Sequence, residues 1–194
     1  MHQMTNERYV VRPATSADTA AMSGIIAASA RQLSIGHYEP EQVEAALRGA
    51  FGVDSQLVTD GTYFVVTVDG EMAGCGGWSR RRTLFGGDRY PARDAQALDP
   101  ATDAARIRAF FVHPSHARRG VGTALLRRCE AEAASRGFRR FALMATLPGV
   151  RFYLAHGYVA AEPQLHDLGN GQAIRFVPMN KEVKPGDSAG ASGA

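Results

Sequence analysis

FFVHPSHARRGVGTALL, residues 110–126, is the stretch that decides the fold of this 194-residue chain. An apolar strand over residues 107–112 runs to Pro114 and passes through a basic, glycine-containing turn. It then reopens as a helix near Gly120, with Val121, Leu125, Cys129 and Ala133 recurring every four residues and Leu126 alongside. Gly137 stands where that helix should stop. The first amides of a helix lack intrahelical partners, and the helix dipole adds partial positive charge there. Arg119, Gly120, Val121, Gly122 and Thr123 can therefore together cradle a pyrophosphate. The glycine spacing alone suits a tight strand-to-helix turn with no ligand equally well. A nucleoside-triphosphate P-loop is excluded, because Gly122 is followed by Thr123 and Ala124 without a lysine. The dinucleotide fingerprint fails for want of its third glycine.

Working outward, Tyr9 to Arg12 reads as a short strand, and Thr15 with Asp18 as a helix-capping box. Met22, Ile25, Ile26, Ser29 and Leu33 predict one mostly apolar helix face, punctuated at its end by Gly36 and Pro40, with a second short helix over residues 41–48. Residues 62–68 are rich in β-formers, Asp69-Gly70 is a hairpin turn, and residues 72–78 resume an extended pattern. Residues 80–102 lack periodicity and read as a long surface loop, a feature often functional in a compact domain. Within it Arg80, Arg81 and Arg82 read as solvated charge, with phosphate contact as the competing reading. A buried strand is expected over residues 138–145, a short helix from Val150 stopped at Gly157, and a last strand over residues 173–177.

Length fits one domain, taken as residues 1–183, with a disordered tail over residues 184–194 that has no large apolar residue to bury. With 45% hydrophobic residues the chain can build a real core. No apolar run approaches the ~18 residues of a membrane span and the first ten residues carry no signal-peptide core, so a cytoplasmic protein without membrane partners is expected. Cys75 and Cys129 lack metal-ligand spacing with the histidines and read as buried thiols, with no metal expected. A net charge of +3 suits an anionic small ligand, and the dispersed basic residues give no nucleic-acid signature.

Val112-His113-Pro114, followed by Ala117-Arg118-Arg119-Gly120-Val121-Gly122, resembles the core motif of the GNAT (Gcn5-related N-acetyltransferase) family. That motif is a strand ending in V-x-P, a turn of the form Q/R-x-x-G-x-G/A, and a helix. Residues 141–146 resemble the family's next core strand, and FYLAHGY, residues 152–158, resembles its FYxxxGF/Y segment. The similarity is clearest over residues 105–158, extends in element order to residues 9–78 and thins after Ala160. It implies an α/β fold with a mixed sheet whose central parallel strands splay apart, pantetheine lying in the gap against residues 107–112. Acetyl-CoA is then the cosubstrate and an amine the acceptor, with a homodimer compatible. Phe111, Val112, Arg118, Arg119, Gly120, Val121, Gly122 and Thr123 are the implied cofactor-binding residues.

Acyl transfer to an amine requires a neutral amine, a stabilised oxyanion and a proton for the leaving thiolate. The resemblance implies a backbone amide near Phe111 or Val112 for the oxyanion and Tyr153 as the general acid; Tyr158 reads as packing. Ala117 replaces the family's Gln or Arg, which leaves the phosphates to backbone, and Arg106 replaces a glutamate that often serves as base. His37, His113 and Asp103 are the alternative bases, and an amine that arrives deprotonated needs none. The implied acceptor pocket lies between residues 34–39 and residues 78–82, with Trp78, Tyr38 and His37 as candidate walls or as ordinary rim packing. A noncatalytic CoA-binding module on the same fold is the competing function, and a nucleic-acid-binding domain a third.

Overall fold

The computed structural model describes residues 9–90 and 94–183; the tail assigned to residues 184–194 lies outside them. Its centre is an eight-stranded mixed sheet in the order β1-β2-β3-β4-β5-β8-β6, with β7 pairing on β8 beside β6. β1 (Tyr9–Pro13), β2 (Tyr63–Val68), β3 (Glu71–Ser79) and β4 (Ala105–Val112) are antiparallel neighbours, and β5 (Arg140–Thr146) runs parallel to β4. The hairpin expected at Asp69-Gly70 joins β2 to β3, with both residues at positive φ (51° and 90°) as a tight two-residue turn demands.

β6 (Val159–Ala160), β7 (Gln164–Gly169) and β8 (Gln172–Glu182) replace the single short strand expected over residues 173–177. The turn between β7 and β8 holds Gly169, Asn170 and Gly171, all at positive φ. Asn-Gly is a strong hairpin signal, and it is the clue by which sequence could have found this pair.

Helices cover both faces. α1 (Thr19–Leu33), α2 (Pro40–Leu47) and the unanticipated single turn α3 (Ser55–Thr59) lie over one face, where Met22, Ile26, Val43, Leu57 and Val65 form a core. The capping box opens the turn before α1: the Thr15 amide donates to Asp18 at 2.8 Å. The same carboxyl meets the Arg12 guanidinium at 2.7 Å, which holds it well below the usual carboxylate range.

α4 (Val121–Ser135) and α5 (Val150–Ala155) cover the other face. The four-residue repeat of α4 points inward as expected: Val121, Leu125, Leu126, Cys129 and Ala133 are all buried. The helix sits close to β3 because Gly74 has no side chain there. A Cβ would stand 2.8 Å from Val121 Cγ1 and 3.0 Å from the Phe111 carbonyl.

Trp78 points into this same core, fully buried with its ring edge against Phe138 at 6.0 Å. It is packing, not a wall of an acceptor pocket; strand alternation aims it at α4. Both cysteines are buried free thiols, and burial raises each above its ordinary range.

Candidate active site

β4 and β5 are paired only at Ala105 with Phe141 and Arg106 with Ala142. Beyond that they part, while β5 stays paired with β8 along its whole length and β4 stays paired with β3. The parting opens a cleft of about 840 Å³, walled by residues 107–112 on one side and Met144, Ala145 and Thr146 on the other. The β5-facing edge of β4 is thereby left with backbone donors and acceptors free of a strand partner among the described residues, a ready ladder for an extended amide-bearing ligand.

A bulge shapes that edge. Gly77 lies opposite Arg108 and Cys75 opposite Phe111, so Ala109 and Phe110 together face Gly76. Ala109 takes φ 57°, in the left-handed region that a Cβ disfavours. The extra residue inverts the alternation. Ile107, Phe110 and Val112 pack toward the α4 face, whereas Ala109 and Phe111 turn to the α1 face.

The glycine turn closes the other end of the cleft. Arg118 (φ 67°) and Gly120 (φ 89°) both bend the chain into the left-handed region, and α4 begins at the next residue. The leading amides of α4 then lie at the rim, where an anion is favoured. Arg118, Gly120, Gly122 and Thr123 line the cleft, as does Ala117. The Val121 side chain is buried in the core, and the Arg119 carbonyl accepts a bond from the Tyr9 hydroxyl; neither side chain is on the wall. His156 Nδ1 stands 2.8 Å from the Phe152 carbonyl, which can only accept, so Nδ1 carries the proton. Nε2 then accepts from the Thr123 hydroxyl at 3.1 Å, tying α4 to α5.

Gly120→Ala should lower Tm by about 2–8 °C, because a Cβ at positive φ costs about 1–2 kcal/mol. No atom lies within 4 Å of the added methyl, so the cost is conformational. Thermal denaturation, with and without a CoA ligand, checks this; an unchanged Tm would show that the turn does not need its left-handed geometry.

Tyr153, on α5, lines the cleft with its side chain 8% exposed. Its ring is wedged edge-on between Phe152 (5.0 Å), Tyr158 (5.5 Å) and Phe110 (6.3 Å). Burial, and then the neighbouring Cys129, raise its pKa well above the ordinary phenol range, so the phenol keeps its proton through the neutral range. Tyr158 is packing as expected; its hydroxyl donates to Glu130 at 2.8 Å.

The remaining candidates separate. His37 lines the cleft. His113 caps the turn after β4 by accepting from the Ser115 amide, and the Asp103 carboxyl accepts from the Asp99 amide at 2.8 Å; neither is on the cleft wall. Tyr38 is a buried strut whose hydroxyl donates to the Arg175 carbonyl at 2.5 Å and accepts from the Leu147 amide at 2.8 Å. Burial pushes its pKa up to about 12.

Arg81 pairs with Asp60 at 2.8 Å, so the arginine run is in part a structural tie and not a phosphate contact. Arg106 is half-buried, and burial lowers its pKa; no carboxylate takes its place on the wall, since no Asp or Glu lines the cleft among the described residues.

Of the two segments expected to bound an acceptor pocket, residues 34–39 reach the cleft through Ser34 and His37, whereas residues 78–82 do not and Leu84, Phe85 and Gly86 line it instead. This loop is clamped on residues 49–55: Gly87 and Asp88 amides donate to the Gly49 and Val53 carbonyls, and Asp88 accepts from Ser55 at 2.9 Å. Beneath it Arg108 donates to the Gly86 carbonyl at 2.7 Å and pairs with the fully buried Asp54 at 2.8 Å. Small residues on both sides allow the close approach, but nothing in the local pattern announces the pairing.

The parallel strand pair thus parts beside the start of α4, and both border one cleft. The chain belongs to the GNAT family of acetyltransferases: the model of the acetyltransferase (GNAT) family matches residues 29–158. Its fold is shared by a GCN5-related N-acetyltransferase from Rhodopseudomonas palustris, 24% identical, with a TM-score of 0.68 over 94% of this chain and 100% of that one.

PaiA N-acetyltransferase from Thermoplasma acidophilum, solved with coenzyme A, is similar over 90% of this chain and 99% of its own, at 13% identity and a TM-score of 0.61. A GNAT acetyltransferase from Brucella melitensis, solved with acetyl-CoA, is similar at 17% identity and a TM-score of 0.55, covering 92% and 90%. No curated protein sequence matches this chain. Among the described residues no helix is long and apolar enough to cross a membrane, and no group of His, Cys, Asp and Glu is arranged to hold a metal ion.

Proposed function

We propose that this chain is an N-acetyltransferase that moves the acetyl group of acetyl-CoA to a primary amine by direct attack on the thioester. One juxtaposition carries the reading: the unpaired edge of bulged β4, the amides at the start of α4 and the Tyr153 phenol all border a single cleft. The pyrophosphate would rest on the backbone of residues 118–123, aided by the Arg118 charge, and the pantetheine amides on the edge of β4.

The amine nitrogen attacks the thioester carbonyl, and a backbone amide near Phe111 or Val112 stabilises the oxyanion. The carbon–sulfur bond then breaks as the Tyr153 hydroxyl gives its proton to the departing thiolate, while the attacking nitrogen releases its excess proton to solvent and Tyr153 is reprotonated from there. His37 is the cleft-lining side chain whose chemistry suits removal of the ammonium proton; an amine that arrives neutral needs no such help. Residues 9–183 act together as one domain, since the core on each face draws on elements from both ends of this span.

Calorimetric titration with acetyl-CoA should give 1:1 binding, and the same preparation should release thiol when an acceptable amine is added. Binding without thiol release on any amine would favour the noncatalytic CoA-binding module, for which Arg106 in place of the family's glutamate speaks. Absence of acetyl-CoA binding would sink the proposal.

A further inference from the structure

The acceptor end of the cleft is an aromatic box. Phe51 meets Phe111 edge-on at 5.7 Å and Phe176 at 6.0 Å, Phe85 meets Phe176 at 5.3 Å, and Leu33 and Met144 complete the wall. These residues come from α1, the segment before α3, the loop 84–86, β4, β5 and β8, so the box exists only in the folded chain.

The charges point one way. Arg108, Arg118 and Arg151 line the cleft, and no Asp or Glu does among the described residues. The nearby carboxyl of Asp54 is fully buried and engaged with Arg108. An ammonium group brought against this aromatic wall would lose its water without gaining an anionic partner there, and a second or third one on the same molecule would repeat the loss. The cleft volume of about 840 Å³ must also admit the pantetheine arm, so the acceptor body is small.

Resting on the N-acetyltransferase reading, we infer that the acceptor is a monoamine carried on a compact apolar body, aryl or branched alkyl. Polyamines and aminoglycosides are rejected. The amine enters neutral or loses one proton at the mouth near His37, its apolar body lies against Phe85, Phe111 and Phe176, and its nitrogen faces the bulged edge of β4.

The test compares 2-phenylethylamine with spermidine and kanamycin in acetyl-CoA-dependent thiol release, and measures binding of each amine by calorimetry to the full chain, free and CoA-loaded. Phenylethylamine should bind and turn over with kcat/KM at least about 10-fold above spermidine. Phe85→Ala should reduce its binding about 10-fold while leaving acetyl-CoA affinity unchanged. Leu33→Glu, at an exposed helix position, should move the preference toward spermidine by adding the missing carboxylate.

Spermidine or kanamycin preferred by the native chain, or no phenylethylamine binding while acetyl-CoA binds, would overturn the inference and spare the enzyme. Loss of acetyl-CoA binding itself would strike the underlying reading, and phenylethylamine binding to the free chain would still report on the box.

Discussion

Tyr153→Phe should lower kcat by about 100-fold or more while acetyl-CoA affinity and Tm stay within error of the native protein. The rate loss is the usual scale for removing a positioned proton donor. Stability should hold because the ring contacts to Phe110, Phe152 and Tyr158 are made by carbon, and the hydroxyl makes no hydrogen bond to another described residue that its loss would orphan. The raised pKa keeps the phenol protonated across the neutral range, the state that a proton donor requires. Separate measurement of kcat, acetyl-CoA Kd and Tm decides the matter. An unchanged kcat would make Tyr153 a core aromatic that happens to border the cleft.

Asp54→Ala should cost about 3–5 kcal/mol, lowering Tm by about 6–20 °C. Asp54 is fully buried and Arg108 is 4% exposed, so removing the carboxyl strands a guanidinium where water cannot reach it. The Asp54 side chain also caps α3 by accepting from the Gln56 amide, which adds to the loss. Combining Asp54→Ala with Arg108→Leu should recover part of the stability, because no charge is then left unpaired. The double variant should still lose acceptor turnover, since Arg108 holds the Gly86 carbonyl and with it the loop that carries Phe85. Chemical denaturation of the single and double variants tests the first claim, and kcat/KM for the amine tests the second. Equal Tm for single and native proteins would show that the pair contributes nothing net.

Much of the β4–α4 side of the cleft was legible because it is local. The repeat of Val121, Leu125, Cys129 and Ala133 sets which side of α4 is buried, and Gly120 with positive φ at the helix start follows from the same short stretch. Tyr153 was reachable from the FYLAHGY segment and does border the cleft. Of the segment 34–39 and the aromatic candidates, Ser34 and His37 line the cleft. Trp78 and Tyr38 were plausible walls by sequence position, yet one lies under α4 and the other spans Arg175 and Leu147 as a strut.

The sequence by itself determined every helix but α3, the Asp69-Gly70 hairpin, the glycine turn and the family, since each depends on residues a few positions apart. Tertiary structure alone decided where β4 and β5 part, that Ala109 bulges against Gly76, and that loop 84–86 settles on residues 49–55 over the Asp54–Arg108 pair. Those outcomes depend on register and on contacts between residues distant along the chain, for which periodicity carries no signal. Local pattern says which face of an element is apolar; only the assembled sheet says what that face meets.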